Sequence, residues 1–162
     1  MNKGQNSAFH FLNLVVKLLT SNNCVVLSEY IMSGVLAKSL WSDEVPVKNG
    51  HAVSVNDVAY SPDGTRCIVA AGSRVLLYDA SNGDLIKSLR GHESTVYSVD
   101  FSSDGSHFAS GGADNSVVIW KASGQGKLKY PHSAPISRVK YNPISFQLAS
   151  CSDVRNSIFL NL

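Results

Sequence analysis

Residues 91–121 read "GHESTVYSVDFSSDGSHFASGGADNSVVIWK", and the reading of this stretch decides the fold. It divides into short runs rather than a helical period. "TVYSVDFS" mixes β-branched and aromatic residues, as strands do. Ser103-Asp104-Gly105 follows. There aspartate bonds its own backbone and glycine accepts a positive φ, which is the chemistry of a tight turn. "HFASGG" and "SVVIWK" are two further strand runs, parted by Ala113-Asp114-Asn115. "VVIW" is apolar throughout, as in a strand whose sheet is packed on both faces.

The same order recurs on either side. "GHAVSVNDVAYSPDGTRCIVAAGSRVLLYDASNGDLIKSLR" starts at residue 50, and "HSAPISRVKYNPISFQLASCSDVRNSIFLNL" starts at residue 132. Tyr60, Phe101 and Tyr141 correspond, 41 and 40 residues apart, and so do His51, His92 and His132. A period near forty with several strands per repeat signals a repeat architecture of small sheets. Pro62-Asp63-Gly64 and Asn142-Pro143 supply the first turn in the flanking repeats, and Asn82-Gly83 leads into a fourth strand, "LIKSLR". Three units follow from this: 51–90, 91–131 and an incomplete 132–162, preceded by a divergent segment over 1–50.

The motifs "GH", "SVDFSSDG" and "FASGGADNSVVIW" resemble a WD40 repeat, with the usual closing Trp-Asp replaced by Trp120-Lys121 and, one repeat earlier, by Tyr78-Asp79. The resemblance implies an all-β fold, a partial β-propeller of two full blades and an incomplete third. More narrowly, "AAGSRVLLYD", "GKLKYPHSAPI" and "YNPISFQLASCS" resemble the N-terminal propeller of a WD-repeat subunit of intraflagellar transport complex A, over residues 55 to about 152. That implies a non-catalytic scaffold in retrograde ciliary transport, cilium assembly and ciliary receptor entry. It implies other complex A subunits and membrane-receptor cargo as partners, with localisation in the cytoplasm, the cilium and the ciliary base. The alternative is a generic WD40 adaptor of the ubiquitin-ligase or vesicle-coat type.

His92, Ser110 and Asp114 are the residue types of a nucleophilic triad. No Gly-x-Ser-x-Gly elbow surrounds Ser110. The WD40 resemblance gives these three, with Trp120, a structural role as a buried hydrogen-bond network, because buried polar groups must be paired. The set is complete only in the second repeat. The first has His51 and Tyr78, with Ala70 in the serine's place. The third has His132, Ser150 and Asp153, with Phe159 near the tryptophan's place. Arg74, Glu93, Ser94, Tyr97 and Asn115 are expected in loops at the blade rim, where a rigid scaffold presents contacts to partners.

Other chemistries find little support. "SGQGK" at 123–127 lacks the earlier glycine and the following hydroxyl of a phosphate loop, and "HESTV" lacks the second histidine of a zinc-protease helix. Lys127, Lys129, Arg138 and Lys140 with Tyr130 and Tyr141 form a loose basic-aromatic set. Strand alternation divides it between faces, and a net charge of +2 is too weak to predict nucleic acid or a membrane surface as partner. The expectation is no cofactor, no metal and no enzyme activity. The three cysteines, Cys24, Cys67 and Cys151, are odd in number and far apart, which argues against a disulfide framework or a zinc site and suits a reducing compartment.

The composition of the 162 residues, 44% hydrophobic and 16% charged, is that of a globular protein. Residues 1–50 read differently from the rest. Their apolar runs, 8–19 and 24–41, are too interrupted for a transmembrane helix and lack a convincing signal-peptide cleavage site. A weakly structured or helical segment is expected, with a linker over 42–50 and "CVVLSEY" as the best candidate for an extra strand. The repeat breaks off at "QLASCSDVRNSIFLNL", with no fourth strand after "SIFL". This suggests a fragment of a longer propeller. Its unpaired blade edges are expected to aggregate or self-associate.

Overall fold

The computed structural model describes residues 24–29, 38–44, 53–152 and 157–161. These residues form thirteen strands and no helix. The first blade is β3 (Val55–Tyr60), β4 (Arg66–Ala71), β5 (Arg74–Asp79) and β6 (Leu85–Arg90). The second is β7 (Val96–Phe101), β8 (His107–Gly112), β9 (Ser116–Lys121) and β10 (Gly126–Pro131). The third has three strands, β11 (Ile136–Tyr141), β12 (Gln147–Ser152) and β13 (Ser157–Asn161). Within each blade, consecutive strands pair antiparallel in sequence order. The first strands β3, β7 and β11 lie side by side from blade to blade, so they are the inner strands, and the fourth strands β6 and β10 are outermost. This is a partial propeller.

Within residues 1–50 the described stretches are β1 (Cys24–Glu29) and β2 (Lys38–Glu44), an antiparallel pair. The expected helical or weakly structured segment is corrected at these two stretches. The strand proposed at "CVVLSEY" is β1, and the linker expected over 42–50 begins inside β2. The apolar run 8–19 lies outside the described residues.

The turns between first and second strands are built by the residues that marked them in sequence. Ser61 Oγ donates to Asp63 at 2.5 Å, and Asp63 accepts the Thr65 N–H at 3.1 Å. One blade on, Ser102 Oγ donates to Asp104 at 2.6 Å, and Asp104 accepts the Ser106 N–H at 3.1 Å. Gly64 and Gly105 each sit at φ 70°, where a Cβ is strained.

The core lies between blades. Ile68, Ala70, Val75 and Leu77 of the first blade meet Val96, Val99, Phe101, Phe108, Val118 and Trp120 of the second. Ala109, Val117 and Ile119 on the other face of the second meet Ile136, Val139, Tyr141 and Leu148 of the third. Strand alternation explains why these runs are apolar without interruption: within a strand such as β9, Val118 and Trp120 face one interface while Val117 and Ile119 face the next. Gly111 allows the second contact, since a Cβ there would stand 2.5 Å from Ile136 Cγ2 and 2.9 Å from Val139 Cγ1.

Candidate functional site

The best-formed polar constellation is in the second blade. His92 comes from the β6–β7 loop, Ser110 from β8, Asp114 from the β8–β9 turn and Trp120 from β9. The Trp120 Nε1–H donates to Ser110 Oγ at 2.8 Å. Ser110 Oγ is 2.8 Å from His92 Nε2, and His92 Nδ1 is 2.8 Å from Asp114 Oδ1. An indole is only a donor, so Ser110 Oγ is its acceptor. Ser110 Oγ accepts from Trp120, lies beside His92 Nε2 and reaches the Val118 carbonyl at 3.5 Å, and Nδ1–H donates to the carboxylate. Burial works against the charge on Asp114, but the hydrogen bonds from His92 and the Glu93 N–H outweigh it and hold the carboxyl down to about 2.

Ser110, His92 and Asp114 thus have the connectivity of a triad, but Ser110 is fully buried and its oxygen already receives the indole N–H. A nucleophile needs an exposed oxygen beside room for substrate. The clefts at the opposite end of the blades do not reach it. One, of about 480 Å³, lies between the Ser61–Arg66 and Asp104–Gly105 turns. Among the described residues no cluster of His, Cys, Asp or Glu could hold a metal, and no helix is long and apolar enough to cross a membrane.

The flanking blades carry weaker versions, and strand register corrects two of the expected correspondences. Val58 pairs with Val69 as Val99 pairs with Ser110, so Val69, not Ala70, holds the serine's place in the first blade. Tyr78 opposite Cys67 matches Trp120 opposite Phe108. In the third blade Leu160 pairs with Leu148 and Phe159 with Ala149. Leu160 therefore takes the tryptophan's ladder position, and Phe159 takes that of Ile119. Ser150 Oγ is 3.2 Å from His132 Nε2. His51 and Asp153 lie outside the described residues.

The five rim candidates share one end of the blades, where the second strand turns into the third. They are not all in loops. Arg74 opens β5 and donates to Ser88 Oγ at 3.1 Å, and Tyr97 is on β7 with 41% of its surface exposed. Glu93 is exposed and Ser94 half-buried in the β6–β7 loop. Asn115 is held at φ 57°, and its carbonyl accepts the His132 N–H at 2.7 Å. It therefore ties the second blade to the third as well as facing outward. Lys129, from the loose basic set, lies 3.4 Å from Asp114 Oδ2 and 3.8 Å from Glu93.

The sequence reading missed two features. Inner-strand carboxylates bridge blades: Asp57 accepts from Ser98 Oγ at 2.8 Å and the Val99 N–H at 3.0 Å, and Asp100 accepts from Lys140 at 3.1 Å and the Tyr141 N–H at 2.8 Å. An acidic residue inside a run of strand formers was the available signal. The second is the β11–β12 turn, where Ile144 is 93% and Phe146 59% exposed. The signal was "NPISF" in place of an Asp-Gly turn.

Four-stranded antiparallel sheets arranged around shared inner strands, with a Trp-Ser-His-Asp chain across the best-formed one, define a WD40-type β-propeller. Residues 54–159 match the family model described as IFT122 first beta-propeller, and the chain belongs to that family. It is 52% identical over 112 residues to the intraflagellar transport protein 122 homolog of Xenopus tropicalis, covering 69% of this chain and 9% of the relative. With the Homo sapiens homolog it shares 56% over 98 residues, covering 60% of this chain and 8% of the relative. The chain therefore spans about a tenth or less of the length of these relatives. In structure it is similar to a crystal structure of RRP9 WD40 repeats, with a TM-score of 0.66 and 26% identity over 70% of this chain and 37% of that one.

Proposed function

We propose that the chain is a non-catalytic protein-interaction scaffold that works within intraflagellar transport complex A. The observation that carries this reading is the match of residues 54–159 to the IFT122 first propeller. Its partners are other complex A subunits and ciliary membrane-receptor cargo. Its setting is the cytoplasm, the ciliary base and the cilium, in retrograde transport, cilium assembly and receptor entry. The Trp120-Ser110-His92-Asp114 chain serves the fold: it pins the β6–β7 loop to the β8–β9 turn. The loops so fixed, with Glu93, Ser94, Tyr97, Asn115 and the nearby Arg74, form the contact rim. Rigid presentation of this kind lowers the ordering cost of binding.

Affinity capture of the tagged chain from ciliated cells tests the proposal. Recovery of complex A subunits is expected, reduced by Glu93→Lys combined with Tyr97→Ala, neither of which belongs to the buried network. Recovery of ubiquitin-ligase or vesicle-coat subunits alone would replace complex A with the generic adaptor reading.

A further inference from the structure

Among the described residues, the two most exposed large apolar side chains share one turn, β11–β12: Ile144 at 93% and Phe146 at 59%. The turn is not loose. The Asn142 N–H donates to the Gln147 carbonyl at 2.8 Å, and Asn142 Oδ1 accepts the Ile144 N–H at 2.9 Å. Its polar groups fix the backbone, and the apolar side chains are left outside. Phe146 also walls a cleft of about 190 Å³, with Asp104, Ser106 and His107 opposite and Tyr141 beside them. Small-molecule sites run from about 300 to 1,000 Å³, so this cleft suits a single side chain.

The cleft one blade earlier indicates which. It lies between the β3–β4 and β7–β8 turns and is lined by Asp63, Arg66 and Phe101. Asp104, His107 and Tyr141 correspond to these three, 41, 41 and 40 residues on. In the earlier cleft the chain supplies its own cation. Arg66 Nη1 donates to the Ala122 carbonyl of the second blade at 2.6 Å. In the later cleft a histidine stands in the arginine's place. Among the described residues no lysine or arginine pairs with Asp104. The Ser102 and Ser106 hydroxyls hold its carboxyl down to about 2, so it is charged near neutral pH. Tyr141 adds a hydroxyl that Phe101 lacks, buried and without a hydrogen-bond partner among the described residues.

We propose that the cleft between the β7–β8 and β11–β12 turns is a docking site for an arginine side chain of a partner protein, with Ile144 and Phe146 seating the apolar residues next to it. The charge of a guanidinium complements Asp104, its plane stacks on the Phe146 ring, and it carries donors for further acceptors. The incoming arginine does from outside what Arg66 does from within. This surface lies at the end of the blades opposite the contact rim, and the inference does not depend on the ciliary reading.

Fluorescence anisotropy tests it on the full chain, at a concentration where sedimentation shows a monomer. The probe is a fluorescein-labelled Gly-Leu-Arg-Leu-Gly peptide, compared with its citrulline counterpart, which keeps the shape and loses the charge. Saturable binding of the arginine peptide is expected, weakened about fivefold or more by citrulline or by Asp104→Asn. Phe146→Ser, at an exposed position, should weaken it with the thermal melt unchanged. His107→Arg restores the internal cation of the earlier cleft and should block the peptide. No saturable binding up to millimolar peptide would overturn the proposal. So would equal affinity for the two peptides, or binding indifferent to both Phe146→Ser and His107→Arg. Displacement of the probe by excess unlabelled chain would overturn it too, since the occupant would then be a second copy.

Discussion

Replacing Ser110 with alanine is the sharpest test of the buried network. Ser110 Oγ accepts from the Trp120 indole and bonds His92 Nε2, both at 2.8 Å, in a site with no exposure. Alanine keeps the backbone and most of the volume but leaves two buried polar groups unpaired. Each costs about 1–3 kcal/mol, so Ser110→Ala is expected to destabilise by about 2–5 kcal/mol. With a urea slope of about 2 kcal/mol per molar for a small protein, the midpoint falls by about 1–2.5 M. Circular dichroism during urea titration reads this directly. Trp120→Phe in both backgrounds completes a double-mutant cycle. Removing the indole N–H should cost less once its acceptor is gone, with a coupling of about 1–2 kcal/mol. A Ser110→Ala midpoint within about 0.3 M of the parent, or a coupling near zero, would show that the chain of bonds is not a stabilising unit.

Gly111→Val should push β8 off β11, because its side chain enters the space of Ile136 and Val139; overpacking costs about 1–3 kcal/mol, and Ile136→Ala should recover part of it in a thermal melt. Asn115 sits at φ 57°, so Asn115→Gly should leave the melting temperature nearly unchanged and Asn115→Val lower it by about 1–2 kcal/mol equivalent. Asp114 and Asp104 are both held down to about 2, Asp114 by bonds that outweigh its burial and Asp104 chiefly by the Ser102 and Ser106 hydroxyls. A folded pKa below the unfolded value means stability that is complete above pH of about 4 and lost as pH falls toward about 2. Urea midpoints across that window should show the loss, and Asp114→Asn should flatten it. Ile144→Ser with Phe146→Ser should leave the melt intact and reduce self-association in sedimentation, because both side chains are exposed at a turn.

The blades were legible because their information is local. Alternation, turn residues and the forty-residue period lie along the chain, and each strand pairs with its sequence neighbour. The His-Ser-Asp-Trp set was legible for the same reason, since its members recur at fixed offsets inside one repeat. The register errors show where local reading stops. Aligning Gly72 with Gly112 places Ala70 at the serine, but the β4–β5 turn is one residue shorter than its counterpart, and the ladder, like the 41-residue offset of Tyr60 and Phe101, gives Val69 as the match. Phe159 and Leu160 exchange roles by the same one-residue rule, because a strand's side chains alternate faces.

By itself, then, the sequence determined a succession of four-stranded units, their turns and the polar chain in the second. Tertiary structure alone decided how the units meet: Asp57 and Asp100 reaching across to the next inner strand, Gly111 giving way to Ile136, and Tyr97 and Arg74 standing on strands rather than loops. The physical reason is that burial belongs to surfaces brought together from distant parts of the chain. An apolar strand pattern states that a face will be covered, but not by what.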